Sequence, residues 1–470
     1  MVVITSFISL LIIFVISGLI FNGSSSLTSN KDKLKRYFIA GGDTNPFLVA
    51  FATFSTNTSA FMFTGFIAFT YFYGFSAIWL IVGWVVGDLL SSLMFYKRML
   101  NFTKRSVNFS FPSLITNLLN PNYKYLRFII SIVALIFISC YAVAQIIGGG
   151  KVISSLLSTT EIWGSFFTIS ILAFYCTYGG LKASILVNTL QSIAMLFGAG
   201  IILFSLIAHI GGLDVFLDGI LQLEPSFRDV TPNYLSGKSN IVFFILGWIF
   251  AGLGTAGMPH TVMQVMSLDK VSNLTKMRLY YYSIYSFFAI LTFFIGIGIR
   301  VYVPNLTFAE AEGSLIETSK AILNPVLHGF ILASIFASII STVDSQAVAC
   351  TSIISQDLMK KNDAPISLIR ILMILMLLTL FALSILTKDT IFFLYTFAWS
   401  GMASGFAPLI FLIVFKFKMS QASSICVVLT GCIVSVVWCL LGLNSIMHEV
   451  FVGILSGFIA YVVTSKLTSK

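Results

Sequence analysis

The chain has 470 residues, of which 58% are hydrophobic and only 9% are charged. A soluble domain carries about 25% charged residues, so the composition excludes an ordinary soluble enzyme and predicts a polytopic all-α membrane protein in a lipid bilayer. The net charge of +10 does not indicate nucleic-acid binding, because the basic residues lie in short connections between apolar runs, as a membrane topology requires.

The apolar runs predict about thirteen membrane-spanning helices. The first run is too long, and flanked wrongly, for a cleaved signal peptide. Most of the 27 Lys and Arg residues fall in alternate connections, which predicts an inner (plasma) membrane protein with its N-terminus outside and its C-terminus cytoplasmic. The predicted spans are 3–22, 45–72, 75–96, 127–150, 161–178, 182–210, 239–266, 279–302, 323–350, 366–386, 391–415, 421–441 and 446–465.

The second and seventh spans differ from the others in composition. The second contains FSTNTSAF (54–61), whose Ser, Thr and Asn side chains compete for the helix backbone. The seventh contains GLGTAGMP (252–259), with three glycines and a proline. Both spans are predicted to break at membrane depth, where unwound backbone is tolerated only if it lines a cavity. The alternative is that these small residues merely allow close helix packing.

The ninth span carries a stripe of hydroxyl groups. Ser334, Ser338, Ser341, Thr342 and Ser345 lie on one helical face, which we expect to face the interior of the bundle. Hydroxyl and carbonyl oxygens suit a hard cation such as sodium, although Ser and Thr can also bond back to their own helix. An ionised carboxylate at this depth, in the same SIISTVDSQ stretch, costs about 2.5–3.5 kcal/mol and therefore indicates a function.

Six ordered motifs resemble those of the sodium:solute symporter family, nearest to bacterial sodium/pantothenate and sodium/proline permeases. The likeness covers roughly residues 35–420. It implies ten core helices, arranged as two inverted five-helix repeats whose first and sixth core helices are broken. The motifs are YFIAGG (37–42), FSTNTSAFMFTG (54–65), YAVAQIIGGGKV (141–152), YGGLKASILVNTLQ (178–191), GMPHTVMQVMS (257–267) and STVDSQ (341–346) with SQDLMKK (355–361).

The resemblance also implies a division of the chain. Residues 1–44 are expected to form an N-terminal transmembrane helix and a cytoplasmic loop. Residues 45–415 are expected to form the transporter core, with repeats 45–210 and 239–415. Residues 416–470 are expected to form two C-terminal transmembrane helices.

A sodium site is implied between the first and eighth core helices. In the family, main-chain carbonyls of the broken first core helix and a carbonyl and hydroxyls of the eighth bind the ion. Carried over to this chain, the first group is Ser55 and Thr58, and the second is Ser338, Ser341 and Thr342. Only Ser341 and Thr342 are expected to use their hydroxyls.

The chain departs from the family pattern at its carboxylates. Relatives often carry Asp where this chain has Asn188, and proline permeases carry Asp where it has Asn57. Asp344 stands where many relatives have Ser or Asn. We therefore expect a second cation or a proton at Asp344, Ser345 and Asn188. Three roles stay open for Asp344, namely contact with a cation, proton coupling and a purely structural role.

The solute is expected at the breaks in the second and seventh spans, where Ser59, Phe61, Thr255 and Met258 lie, together with Gln145. No Arg or Lys is expected at mid-membrane in the core, so a helix N-terminus is the predicted holder of an anionic group. His260 is expected to be structural.

The sequence thus predicts a sodium-coupled symporter that imports a small organic solute of carboxylate, vitamin or amino acid type by alternating access. Sodium is the expected coupling ion, and the solute, sodium and the bilayer are the expected partners. The alternatives are a proton-coupled symporter of the same fold and a membrane sensor that does not transport. An enzyme is not predicted, because the sequence shows no nucleophile–base pair, phosphate loop or metal cluster.

Overall fold

The computed structural model describes residues 1–21, 30–104, 109–232, 238–361, 364–387, 389–445 and 447–468. Over these ranges the chain is helical, and extended backbone pairs only at an isolated bridge between Thr44 and Leu268. The helices are α1 (Val2–Phe21), α2 (Asn30–Ile39), α3 (Pro46–Thr58), α4 (Gly65–Tyr73), α5 (Ile78–Thr103), α6 (Phe111–Leu119), α7 (Lys124–Leu157), α8 (Glu161–Ile210), α9 (Leu213–Gln222), α10 (Pro225–Arg228), α11 (Lys238–Leu253), α12 (Pro259–Met266), α13 (Leu274–Tyr302), α14 (Phe308–Ile322), α15 (Pro325–Ser352), α16 (Ile366–Leu386), α17 (Ile391–Val414), α18 (Gln421–Leu440) and α19 (Glu449–Thr468).

Nine helices in the described part of the chain are long and apolar enough to cross a membrane. A tenth span is formed if Ile241–Gly257 and Pro259–Met266, which meet at 58°, cross together. Val2–Gly18 and Glu161–Phe174 are shorter apolar helices. The predicted polytopic helical membrane protein is therefore confirmed, whereas the number of thirteen spans stays a prediction.

The predicted second span is broken where its polar motif lies. Helix α3 ends at Thr58, and Ser59 takes a φ of 51° and a ψ of −174° before a 3-10 turn over Ala60–Phe63. The Ser59 hydroxyl accepts a hydrogen bond from the backbone N–H of Phe61 at 3.1 Å. This bond caps the new turn, and the chain resumes in α4 at Gly65.

The predicted seventh span is broken in the same way. Helix α11 tightens into a 3-10 turn over Gly254–Gly257, Met258 is extended, and Pro259 starts α12. Proline suits this position because the first helical residue needs no N–H partner. Both predicted breaks are confirmed.

Helix α8 contains the predicted fifth and sixth spans, which Gly180 separates. Its φ of 56° and ψ of −178° lie in a region that only glycine adopts readily. A Cβ atom here would lie 2.7 Å from the ring of Tyr37 on α2. The sharp bend therefore needs glycine for both its backbone angles and its space.

Helices α5 and α11 approach to backbone contact through facing glycines. A Cβ atom on Gly83 would lie 2.5 Å from Trp248, and one on Gly252 would lie 2.5 Å from the carbonyl oxygen of Trp84. A Cβ atom on Gly87 would clash with the carbonyl of Ile249. This close approach holds the middle of α5 against the break that follows α11.

The remaining spans surround the two broken helices. Helix α3 packs against α8, α13 and α15. Helix α1 packs against α8 and α15, where the Ser6 hydroxyl donates to the carbonyl of Val326 at 2.9 Å. Helices α18 and α19 pack on each other and on α17. The division into residues 1–44, 45–415 and 416–470, with its two repeats, stays a prediction.

Candidate functional site

Two hydroxyls of α15 reach across to the end of α3. Ser341 Oγ donates to the carbonyl oxygen of Ser55 at 3.1 Å, and Thr342 Oγ1 donates to that of Thr56 at 3.1 Å. The same hydroxyls lie 3.0 and 2.9 Å from the carbonyl oxygen of Ser338. All five residues are buried. Three carbonyl and two hydroxyl oxygens therefore converge between two helices.

The break in α3 explains why these carbonyls are accessible to partners. The last four carbonyls of a helix have no intrahelical N–H partner, and α3 ends at Thr58. The same end carries the partial negative charge of the helix dipole. Such half-helix C-terminal ends coordinate sodium in transporters with broken helices, and the hydroxyls of α15 add oxygens that suit the same ion.

The structure brings four of the five predicted sodium residues into this cluster. Thr58 is the last residue of α3, and its hydroxyl donates within the helix to the carbonyl of Phe54 at 2.9 Å. Thr56, which the sequence reasoning did not select, supplies the carbonyl that Thr342 contacts. Its only signal was its position beside Ser55 in the same polar motif.

A second polar cluster forms around the side chain of Thr56. Its hydroxyl lies 3.0 Å from Ser345 Oγ and 3.4 Å from Asn188 Nδ2. Gln264 Nε2 donates to Ser345 Oγ at 2.8 Å. The oxygens Asn188 Oδ1 and Gln264 Oε1 are buried without a hydrogen-bond partner. Asn188 and Ser345, both predicted from sequence, thus each contact Thr56, and buried Asp344 precedes Ser345 on α15.

Gln264 belongs to this cluster but was not predicted. It lies in PHTVMQVM, the short helix α12 that follows the break. A glutamine in an otherwise apolar stretch is a signal for an interior polar contact. Which side of α12 faces the cluster depends on how α12 packs against α3 and α15, and the sequence alone does not show this packing.

Gln145 joins the predicted solute region at the break in α3. Its Oε1 atom accepts from the backbone N–H of Ala60 at 2.9 Å, while its Nε2 atom is buried without a hydrogen-bond partner. Phe61, on the same turn, stacks on Tyr395 with ring centroids 4.1 Å apart. Gln145, Ser59 and Phe61, which the sequence predicts for the solute site and which belong to two different spans, therefore lie together.

Aromatic side chains continue from Phe61 to the second break. Tyr395 contacts Tyr141 at a centroid distance of 4.9 Å, and Tyr141 contacts His260 at 5.4 Å. Trp84 lies 6.2 Å from Tyr395. Trp84 Nε1 and both ring nitrogens of His260 are buried without hydrogen-bond partners. His260, expected to be structural, therefore places ring nitrogens beside the predicted solute region.

Thr255 and Met258 lie at the break between α11 and α12. Thr255 Oγ1 donates to the carbonyl of Gly252 at 2.7 Å, and the backbone N–H of Met258 donates to that of Thr255 at 3.0 Å. Both side chains are fully buried. Ser91 on α5 holds the same turn by accepting from the N–H of Ala256 at 3.2 Å.

The candidate site is closed to solvent. None of the thirteen side chains predicted for the ion and solute sites is more than 2% exposed. At one end of the bundle, Lys151 pairs with Glu312 at 3.6 Å. The Glu312 carboxylate also accepts from the N–H groups of Ile391 and Phe392 at 3.2 and 2.7 Å. These contacts join α7 and α14 to the start of α17.

The opposite end is closed by the segment that precedes α3. The N–H of Thr44 donates to the carbonyl of Ser267 at 3.0 Å, and the N–H of Asp269 donates to that of Thr44 at 2.9 Å. Lys182 also pairs with Asp43 at 3.2 Å. The start of α3 is therefore fastened to the end of α12 and to α8.

The model of the sodium:solute symporter family matches residues 37–431. The sodium/proline symporter 2 of Staphylococcus saprophyticus is 24% identical over 99% of this chain and 93% of that protein. The osmoregulated proline transporter OpuE of Bacillus subtilis is 25% identical over 92% of this chain and 89% of that protein.

Solved structures share the fold. A sodium-coupled sialic acid symporter, in a substrate-bound outward-open state, matches with a TM-score of 0.79 at 14% identity, covering 99% of this chain and 98% of that one. A transporter of the nucleobase-cation-symport-1 family, in a closed conformation, matches with a TM-score of 0.57 at 11% identity, covering 92% and 94%. The predicted fold class is confirmed.

Proposed function

Because the chain belongs to the sodium:solute symporter family, it is a sodium-coupled symporter, and we propose that it imports an amino acid of about the size of proline by alternating access. The relatives named above are proline transporters, which favours an amino acid over the vitamins and other carboxylates that the sequence left open. The observation that carries sodium coupling in this proposal is the oxygen cluster between α3 and α15.

In this proposal the coupling sodium binds among Ser55, Thr56, Ser338, Ser341 and Thr342, with Thr58 at the same helix end. The cluster lies between a broken helix and an unbroken one. An ion bound there stabilises the arrangement in which the two helices are close, so its binding energy favours one conformation over another. Sodium binding and closure of the carrier are linked for that reason.

The solute lies, in this proposal, between the two breaks. Gln145 Nε2, Trp84 Nε1 and both ring nitrogens of His260, one of which carries the N–H of the neutral ring, are buried without partners. A buried donor without a partner costs about 1–3 kcal/mol. A solute carboxylate supplies the missing acceptor. Phe61 and Tyr395 provide stacked rings against which the apolar part of a small amino acid packs.

A second cation is proposed at the cluster of Thr56, Asn188 and Ser345, near Asp344. The unpartnered oxygens of Asn188 and Gln264 are suitable ligands for it. The proposal also includes an inner-membrane location with the N-terminus outside and the C-terminus cytoplasmic.

The test is uptake by purified protein in liposomes. Radiolabelled L-proline should accumulate under an inward sodium gradient and not when potassium replaces sodium. Pyrrolidine, which lacks the carboxylate, should fail to compete. Accumulation driven by a pH gradient without sodium would favour proton coupling. Sodium-driven uptake of solutes that are not amino acids, with no competition by proline or by other small amino acids, would refute the amino acid class. No uptake of any solute would favour a sensor.

A further inference from the structure

Asp88 is a second buried carboxylate at membrane depth. It lies in the middle of α5, within the apolar sequence IWLIVGWVVGDLL, and is 2% exposed. Gly87 precedes it at the point where α5 touches the backbone of α11. The carboxylate is therefore held beside the break that follows α11, where Thr255 is one of its polar neighbours.

A hydrogen-bonded chain connects Asp88 to α3. Tyr281 of α13 donates its hydroxyl proton to Asp88 Oδ2 at 2.9 Å, and the same hydroxyl accepts from Asn57 Nδ2 at 2.6 Å. These roles fix the orientation of the Asn57 amide, because the tyrosine proton is already used on the carboxylate. Asn57 must turn its Oδ1 atom away from Tyr281 as a free acceptor.

Two acceptor oxygens are thus left without partners. Asp88 Oδ1 and Asn57 Oδ1 are both buried and have no hydrogen-bond partner. Their side chains bond to the same hydroxyl, so the two free oxygens belong to neighbouring groups on α5 and α3. An arrangement that leaves an acceptor pair unsatisfied in a membrane interior is costly unless a ligand with positive charge or donor groups completes it.

No basic side chain balances Asp88 in the described part of the chain, where it belongs to none of the ion pairs. Arg278 on α13 is directed elsewhere. Its Nε and Nη2 atoms donate to the hydroxyl and carbonyl oxygens of Ser92, at 2.8 and 2.6 Å. The neighbouring side chains therefore provide Asp88 with a hydrogen-bond donor but with no positive charge.

We propose that Asp88, Asn57 and Tyr281 form a binding site for a monovalent cation, which is either a further sodium ion or the ammonium group of the transported solute. The inference rests on the proposed function. The site uses α3, α5 and α13 and no residue of α15, so it is separate from both clusters at Ser341 and Ser345. It lies next to the two breaks, where an ion and a solute can share its oxygens.

The experiment uses purified full-length protein in nanodiscs. Equilibrium binding of ²²Na⁺, without solute, gives the number of sodium ions bound. Binding of radiolabelled L-proline at saturating sodium gives solute affinity. Both are measured for the wild type, for Asp88→Asn, and for Asp357→Asn as a control. Asp357 is a buried carboxylate paired with Arg127 at 2.5 Å on another part of the bundle.

If the site holds sodium, Asp88→Asn binds one sodium ion fewer than the wild type, while Asp357→Asn binds the same number as the wild type. If the site holds the solute ammonium group, sodium stoichiometry is unchanged and proline affinity falls by about tenfold or more. In that case Asp88→Asn does not weaken competition by tetrahydrofuran-2-carboxylate, in which an ether oxygen replaces the ammonium group.

The inference is overturned if Asp88→Asn matches the wild type in both sodium stoichiometry and proline affinity. Should Asp88→Asn fail to fold, Asn57→Ala removes the other free oxygen and is judged by the same two measurements. The two proposals fail differently. A wild type that binds no sodium refutes the proposed function, and the cation inference falls with it, whereas sodium binding unaffected by both variants refutes this inference alone.

Discussion

The hydroxyl of Thr342 offers the sharpest test of the sodium site. It lies 3.1 Å from the carbonyl oxygen of Thr56 and 2.9 Å from that of Ser338, which share its single proton, so it joins the end of α3 to α15. Thr342→Val keeps the branched shape and removes only the oxygen. The substitution should therefore weaken sodium activation of transport and leave the fold intact.

The magnitude follows from what the oxygen does. In the proposed sodium site the hydroxyl is one of about five oxygen ligands, and we expect no water to replace it because the residue is fully buried. Leaving one buried polar interaction unmade costs about 1–3 kcal/mol, which corresponds to a factor of roughly 5 to 150 in affinity. Thr342→Ser retains the oxygen and should stay within about threefold of the wild type.

The assay is proline uptake in liposomes as a function of external sodium. Thr351→Val is the matched control, since Thr351 lies on α15 and its hydroxyl contacts the carbonyl of Ala347 at 2.8 Å and Met373 Sδ of α16 at 3.7 Å, but no atom of α3. Thr342→Val should require a much higher sodium concentration for half-maximal uptake than this control. If both variants need the same sodium concentration for half-maximal uptake, at equal expression, the placement of sodium against Thr342 is refuted.

Three further variants test other parts of the molecule. Gln145→Leu should raise the proline concentration for half-maximal uptake by about tenfold without shifting sodium activation, and a shift in both would contradict a solute role. Gly180→Ala should lower the thermal unfolding temperature in detergent, because a strained φ of 56° costs about 1–3 kcal/mol; an unchanged temperature would refute this. Asp344→Asn should impair uptake, and adding Asn188→Asp should restore part of it, since one carboxylate returns nearby; normal uptake by the single variant would leave Asp344 a structural role.

The broken helices could be predicted because their causes are local. Ser, Thr and Asn in 54–61, and Gly and Pro in 252–259, weaken a helix wherever it is placed. The face of α15 that carries Ser341 and Thr342 could also be predicted, because side-chain direction on a helix depends only on spacing. These features could therefore be predicted from the sequence without knowing how the helices pack.

The partners across helices could not be predicted in the same way. Whether Thr342 meets the carbonyl of Thr56 or of Thr58 depends on the relative height of two helices. Gln264 and Asp88 each lie in an apolar helix, and the sequence does not show what faces them. For Asp88 the available signal was the pair of glycines at 83 and 87, spaced four apart, which indicates a close helix contact.

The oxygen cluster between α3 and α15 also bears on how a symporter completes its cycle. In the structure the hydroxyls of Ser341 and Thr342 donate to the carbonyls of Ser55 and Thr56. A hydroxyl can rotate its proton away and present a lone pair instead, so the same oxygens can surround a sodium ion with little movement. Helices α3 and α15 can thus stay joined by hydrogen bonds or by an ion. A symporter must change conformation both with sodium and solute bound and with neither bound, so α3 and α15 must be able to pack together in both cases. Removing either hydroxyl should therefore slow the conformational change of the empty protein as well as weaken sodium binding.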